Sequence, residues 1–299
     1  MKSARSVRIF TGISIATLAI SAISALAFGT VSASITKIDA FAGIDKRPDK
    51  KSSAINYLLV GSDTREGLTK AELKELRVGS VATAAGKRSD TMLLVHISKA
   101  RDKAVLVSIP RDTFALIPAH LNKAGKTIPA VHSKINSAFN WGGAPLLIQT
   151  IEEMTQLKID HYVEVNFAGF ASVIDSLGGI EVCTKKDIDD PKSHLVLPAG
   201  VHTLNGIEAL KYVRTREFDG MGDLGRMQRQ QAFMSSVLKK ATSAGVLLNP
   251  ITMTSFINSS LAAVTTDEGL KNSDLITLAK QMKSLATSNV RTLTVPLSD

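Results

Sequence analysis

Short apolar runs alternating with stretches of helical spacing constrain this chain most, because each kind of element can bury its apolar face only against another. Residues 56–60 form one such run, closed by Gly61. Residues 92–97 and 104–109 form two more, the second stopped by Pro110. Runs this short, bounded by turn residues, predict strands. The polar stretch 98–103 predicts a hairpin turn centred on Ala100 and Arg101. Leu147, Ile148 and Ile151 have helical spacing and predict a helix over 144–154. A strand over 162–165, a helix over 167–177, a stop at Gly178 and Gly179, and a strand over 180–182 follow. Asn205 and Glu208 match a capping box that opens a short helix. Helices over 224–242, 250–264 and 273–286 then precede a closing strand over 290–295. The alternation predicts an α/β fold, a central mixed and largely antiparallel β-sheet flanked by helices.

The N-terminus predicts the compartment. Residues 9–36 carry no charge and are rich in Ile, Ala, Leu and Val, enough to cross a hydrocarbon core of about 30 Å. Lys2, Arg5 and Arg8 precede this segment, which places the short side in the cytoplasm. The expected organisation is a cytoplasmic tail over 1–8, a single transmembrane anchor over 9–33, a juxtamembrane linker over 34–54 and an extracytoplasmic domain over 55–299. A cleaved signal peptide is the competing reading, because Ala25-Leu26-Ala27 and Val31-Ser32-Ala33 resemble processing sites. Either way the body of the chain is exported. The whole chain, at 299 residues and 44% hydrophobic, is long enough to bury one substantial core, with room for a second small domain. The net charge of +9 comes without a basic run interleaved with aromatics, which argues against nucleic-acid binding. Cys183 is the single cysteine, so no intramolecular disulfide can form. Its expected role is that of a small buried hydrophobe.

Acids and arginines recur where the predicted strands begin or end. Asp63 and Arg65 follow the strand that Gly61 closes, Arg88 and Asp90 precede the next, and Arg111 follows Pro110. In a hairpin centred on residues 100 and 101, residues equally distant from the turn face each other, so Asp90 lies opposite Arg111. An antiparallel partner ending at Gly61 brings Asp63 and Arg65 to the same edge. An extended backbone over 212–216 would put Arg214 and Arg216 on one face. Arg226 and Gln230 lie one helical turn apart, with Arg229 adjacent. Alone, each acid reads as a turn cap and each arginine as a surface ion pair. Their coincidence points instead to a hard cation beside phosphoryl oxygens, since carboxylates hold the ion and guanidinium forks clamp the phosphates. Asp112 reads as a turn or capping residue. Lys134 and Asn136 are open to two readings, sugar contacts or parts of the fold. Phe167, Phe170, Val173, Ile174, Phe233 and Val237 are likewise open, as core or as walls of an apolar channel. The chain has no His-Glu-x-x-His and no P-loop signature, which argues against a zinc hydrolase and a P-loop nucleotidase.

These motifs, in this order, resemble the LytR-CpsA-Psr family of bacterial envelope proteins. The likeness runs from about Asn56 to about Ala241 and includes Gly61-Ser62-Asp63-Thr64-Arg65, Arg88-Ser89-Asp90-Thr91, Pro110-Arg111-Asp112, Lys134-Ile135-Asn136, Leu177-Gly178-Gly179-Ile180, Tyr212-Val213-Arg214-Thr215-Arg216 and Gly225-Arg226 with Arg229-Gln230-Gln231. The resemblance implies a membrane-anchored transferase that moves a glycopolymer phosphate from a polyprenyl diphosphate carrier to peptidoglycan. It implies Mg2+ or Mn2+ at Asp63 and Asp90, a catalytic set of Asp63, Asp90 and Arg111, and diphosphate binding by Arg65, Arg88, Arg111, Arg214, Arg216, Arg226 and Gln230. A lipid diphosphate hydrolase and a non-catalytic, membrane-tethered binder of lipid-linked polymer are the alternatives. Two departures stand out: residues 66–87 lengthen the link between the first two motifs and are expected as a flap. Where some relatives carry a second cysteine downstream of Cys183, this chain has Pro198-Ala199-Gly200-Val201.

Overall fold

The hairpin that joins residues 92–97 to 104–109 forms in the expected register. Met92 pairs with Ile109 and Ile97 with Ala104. Antiparallel to its first strand runs 55–62, where Leu58 faces Leu94 and Gly61 faces Thr91. A computed structural model describes residues 35–64, 68–76, 89–100, 102–122, 124–215, 222–241, 243–247, 249–271, 274 and 290–294. The expected tail and anchor over 1–33 therefore lie outside the described residues. No described helix is long and apolar enough to cross a membrane.

In chain order the described strands are Thr36–Ile38 (β1), Ile55–Ser62 (β2), Ser89–Ile97 (β3), Ala104–Ile109 (β4), Phe114–Ile117 (β5), His120–Leu121 (β6), Thr127–Ile128 (β7), Val131–Lys134 (β8), His161–Val165 (β9), Ile180–Thr184 (β10), Ile188–Asp190 (β11), Leu195–Leu197 (β12), Gly200–Leu204 (β13), Val264–Asp267 (β14) and Val290–Thr294 (β15). The helices are Lys70–Leu76 (α1), Asn136–Thr155 (α2), Phe167–Ser176 (α3), Gly206–Arg214 (α4), Gly222–Ala241 (α5), Ala244–Leu247 (α6) and Pro250–Ala262 (α7). The central sheet has the order β1-β14-β9-β2-β3-β4-β15. It is evenly mixed rather than largely antiparallel: β1 with β14, β2 with β9 and β4 with β15 run parallel. Parallel neighbours need long crossovers, and β9 returns beside β2 only after the length of α2.

Side chains alternate across the sheet with period two. Leu58, Val60, Met92 and Leu94 join Leu147, Ile148 and Ile151 of α2 in one core, while Tyr57, Ile97 and Leu270 are buried in a separate cluster. Helix α2 begins eight residues before the expected start, and Gly143 breaks it at φ 65 and ψ −150. A third cluster joins Ile174, Val182, Tyr212 and Phe233, so Ile174 and Phe233 are core. Gly178 and Gly179 adopt positive φ, and a Cβ on Gly179 would lie 2.9 Å from the Leu204 carbonyl oxygen. The expected stop after α3 thus follows from the backbone itself. The capping box at Asn205 and Glu208 forms with both hydrogen bonds.

Residues 36–47, expected as linker, are built into the fold. Strand β1 forms the sheet edge, Ala40 is fully buried, and the Arg47 fork grips the buried Glu152 carboxylate. Part of the expected flap is helix α1, whose Leu76 packs with Leu210 of α4. The helix expected over 273–286 falls almost wholly outside the described residues.

Asp267 ties β14 to β9 by accepting a 3.0 Å hydrogen bond from the Tyr162 N–H and lying 3.3 Å from the His161 ring. Burial opposes its charge, but the His161 and Tyr162 hydrogen bonds outweigh burial and hold its carboxyl below the ordinary 3.8. A carboxyl depressed on folding adds stability above its unfolded value and loses it as pH falls through the lower native value. Asp267→Asn should therefore unfold at a lower temperature than the parent near neutrality, with the gap narrowing on acidification below the ordinary value. Melting curves at stepped pH measure this, and a constant gap would refute the assignment.

Cys183 is exposed rather than buried, because β10 turns Val182 and Thr184 inward and Cys183 outward. It pairs directly with Val201 across the β10–β13 ladder. Paired Cα atoms of an antiparallel ladder lie within the span a disulfide bridges. Val201→Cys should form that bond on oxidation and stabilise by about 3 kcal/mol, the value for a loop of roughly this length. Melting with and without reductant reads this as a shift of several degrees.

Candidate functional site

Three sheet pairings bring the end of β2, the start of β3 and the end of β4 to one edge. β2 and β9 run parallel, with Gly61 opposite Val165, so their C-terminal ends coincide. The start of β3 lies beside them through Gly61↔Thr91 and Ser62↔Ser89, with a bulge between Gly61 and Ser62. The extra residue is Asp90 on β3, and a bulge bends the strand that carries it; Asp63 follows directly after the end of β2. The β3–β4 ladder ends at Met92↔Ile109, and Asp90 and Arg111 each lie two residues beyond that last pair. A sheet edge at carboxyl ends of strands is the usual place for a ligand in α/β proteins. Asp63 is half-buried. The Asp90 backbone belongs to β3, but its side chain lies outside the described residues, as do Arg65, Arg88, Arg216 and the Arg226 side chain.

Arg111 is oriented by its neighbour. Its Nε–H lies 3.4 Å from Asp112 Oδ2, and Asp112 Oδ1 meets Lys134 Nζ at 2.7 Å. Burial works against the Asp112 charge, but the Lys134 hydrogen bond and the two cations outweigh it and hold its carboxyl below the ordinary value. The Asn136 N–H donates to the Arg111 carbonyl at 3.2 Å, and the Ile135 N–H to that of Thr113 at 2.8 Å. The start of α2 therefore holds the arginine loop. Asp112, read from sequence as a turn or cap, is an ion-pair bridge between Arg111 and Lys134. The signal available in sequence was the Arg-Asp pair itself.

Arg214 reaches the same edge by a route different from the expected one. Residues 212–214 are helical, the last turn of α4, because the capping box starts a helix that continues through them. Arg214 and Arg216 therefore do not share the face of a strand. The Arg214 guanidinium sits over the Phe167 ring at 5.3 Å, and Phe167 opens α3 directly after β9. A guanidinium on an aromatic face gains a cation–π attraction. Helix α5 fastens this segment: Gln230 Nε2 donates to the Val213 carbonyl at 3.1 Å, and the buried Arg229 to that of Thr215. Gln230 and Arg229 thus hold the α4 terminus in place.

Among the described residues no three His, Cys, Asp or Glu side chains cluster as a metal-binding group. Mg2+ needs only one or two carboxylates when phosphates and water complete its shell. An Asp63 carboxylate just past the end of β2, with Asp90 at the bulge that opens β3, fits that requirement.

Fold and edge together define an α/β protein with Asp63, Arg111 and Arg214 at one end of its central sheet. The chain belongs to the LytR_cpsA_psr family, whose model matches residues 26–299. It is 37% identical over 248 residues to the probable cell wall biosynthesis protein LcpB of Corynebacterium glutamicum, covering 83% of this chain and 55% of that one. It is 35% identical over 204 residues to the polyisoprenyl-teichoic acid–peptidoglycan teichoic acid transferase TagT of Bacillus subtilis, covering 66% and 56%. The chain thus spans little more than half the length of these relatives. The LytR-Csp2A-Psr enzyme from Actinomyces oris shares the fold at TM-score 0.67 and 22% identity, covering 89% and 88%. The structure of TagT bound to LIIa-WTA matches at TM-score 0.57 and 26% identity, covering 85% and 86%.

Proposed function

We propose that this chain transfers a glycopolymer phosphate from a polyprenyl diphosphate carrier to a hydroxyl of peptidoglycan. The observation that carries the reading is the convergence of Asp63, Arg111 and Arg214 on one sheet edge. Relatives whose names describe teichoic acid transfer to peptidoglycan support it. A diphosphate repels any incoming oxygen until its charge is neutralised. Arg111 and Arg214 hold the diphosphate, with Arg65, Arg88, Arg216 and Arg226 as further cationic candidates. Gln230 acts by fixing Val213 beside Arg214, and its second amide hydrogen remains a ligand donor. Asp63 holds Mg2+ or Mn2+, with Asp90 as second ligand or as the group that orients the acceptor hydroxyl. When bound, the ion neutralises phosphoryl charge.

The acceptor oxygen forms a bond to the glycan-bearing phosphorus, and the bond from that phosphorus to the bridging oxygen breaks. Polyprenyl monophosphate leaves with the bridging oxygen, and the hydroxyl proton passes through an aspartate to solvent. Residues 9–33 are proposed to anchor the chain in the membrane, with the domain outside. Incubation of the membrane-bound full chain with lipid-linked glycan tests the reading. Release of polyprenyl phosphate should require the peptidoglycan acceptor and the divalent ion. Equal release without acceptor would identify a hydrolase, and binding with no release would identify a carrier.

A further inference from the structure

We infer that the hairpin β6–β7 and the first half of α2 form a binding subsite for a neutral pyranose, separate from the arginines. A cavity of about 520 Å³ is lined by His120, Asn122, Ala124, Ile128, Asn140 and Trp141. Its volume lies within the range of small-molecule sites, which combine apolar walls with a few placed polar groups. None of these described residues is a lysine, arginine, aspartate or glutamate, so they do not themselves present the cations a diphosphate needs. Its walls match a sugar instead, which presents a C–H face to a flat ring and hydroxyls to amides.

The ring surface is a stack. His120 and Trp141 lie 5.5 Å apart at 12°, and Trp141 remains about one-third exposed. The His120 ring is fixed because its Nδ1 lies 2.9 Å from the Pro118 carbonyl. A carbonyl can only accept, so Nδ1 carries the proton and Nε2 of the neutral ring is an acceptor. The Asn122 Oδ1 is committed to the Ala124 and Lys126 N–H groups, which leaves its amide hydrogens as donors. The exposed Asn140 amide and the Trp141 indole N–H make no hydrogen bond among the described residues. The pocket therefore offers both donors and an acceptor, the complement a hydroxyl-rich ligand requires. The break at Gly143 falls two residues after Trp141, so the stack sits where α2 changes direction.

The position ties the subsite to the proposed reaction, on which its biological source rests. Asn136, whose N–H holds the Arg111 carbonyl, lies one helical turn before Asn140, about 6 Å along α2. A sugar in the cavity would thus lie within a few residues' reach of the diphosphate edge, as part of the donor glycan or of the acceptor strand.

Trp141 is the only tryptophan in the chain, so its fluorescence reports on this cavity. The full chain should be titrated, without divalent ion, with a β-1,4-linked N-acetylglucosamine tetramer and with N-acetylglucosamine-1-phosphate. At least one should give a saturable change in emission, and Asn140→Ala should weaken that binding about tenfold without lowering the melting temperature. Tetramer binding indifferent to Arg111→Ala assigns the acceptor strand, whereas sugar-phosphate binding weakened by Arg111→Ala assigns the donor. The inference is overturned if neither sugar gives a saturable change up to millimolar concentration, or if Asn140→Ala and, by calorimetry, Trp141→Ala leave affinity unchanged. These readouts need no turnover, so a chain that binds sugar yet transfers nothing would sink only the proposed reaction.

Discussion

Arg111→Ala is expected to lower the rate of glycopolymer transfer by about 10²–10³-fold, the cost of removing one preorganised group that stabilises developing charge. Arg111 is partly buried and oriented by Asp112, which Lys134 holds in turn. Arg111→Lys keeps the charge but loses the planar fork that grips two oxygens at once, so it should fall between alanine and the parent. Asp112→Asn should cost less than Arg111→Ala, because the guanidinium remains while its orientation loosens. Initial rates with lipid-linked substrate measure this order, with melting curves as the control for folding. Parental rates in Arg111→Ala would remove this residue from the proposed chemistry.

Arg47→Met should destabilise the fold by about 3–5 kcal/mol, the penalty for leaving a buried charge without its partner. Glu152 is 1% exposed and accepts from Arg47 at 2.7 and 3.0 Å and from the Ile159 N–H at 2.7 Å. Arg47 also donates to the Ile159 carbonyl. The same contacts fasten the segment before β2 to the end of α2 and the entry to β9. Adding Glu152→Gln to Arg47→Met removes the stranded charge and keeps an acceptor for Ile159, so most of the loss should return. Urea midpoints at unchanged slope read both effects as changes in stability. A single variant as stable as the parent would mean that this pair does not anchor the segment.

Legibility in the sequence followed the range of the forces involved. The register that sets Met92 against Ile109 was readable because a hairpin is closed by its own turn, and 98–103 is the polar break between two apolar runs. The capping box was readable because its two hydrogen bonds join residues three apart. The end of α4 was misread: Arg214 and Arg216 alternate as on a strand, while the helix started at Asn205 continues to Arg214 and is held by Arg229 and Gln230 from α5. On helical spacing alone those two side chains share a face suited to an anion, and only the packing of α5 on the end of α4 turns them toward backbone carbonyls.

From residue order alone came the elements of the sheet centre, its antiparallel core of β2, β3 and β4, and the family motifs with Asp63, Asp90 and Arg111 at strand ends. These rest on local periodicity, turn chemistry and capping, which act over a few residues. Tertiary structure alone decided that residues 36–47 join the fold, that half the sheet pairings are parallel, that Arg214 arrives on a helix and that Trp141 stacks on His120. Each depends on a contact between segments far apart in sequence, and pairwise burial across such distances leaves no periodic trace in either partner.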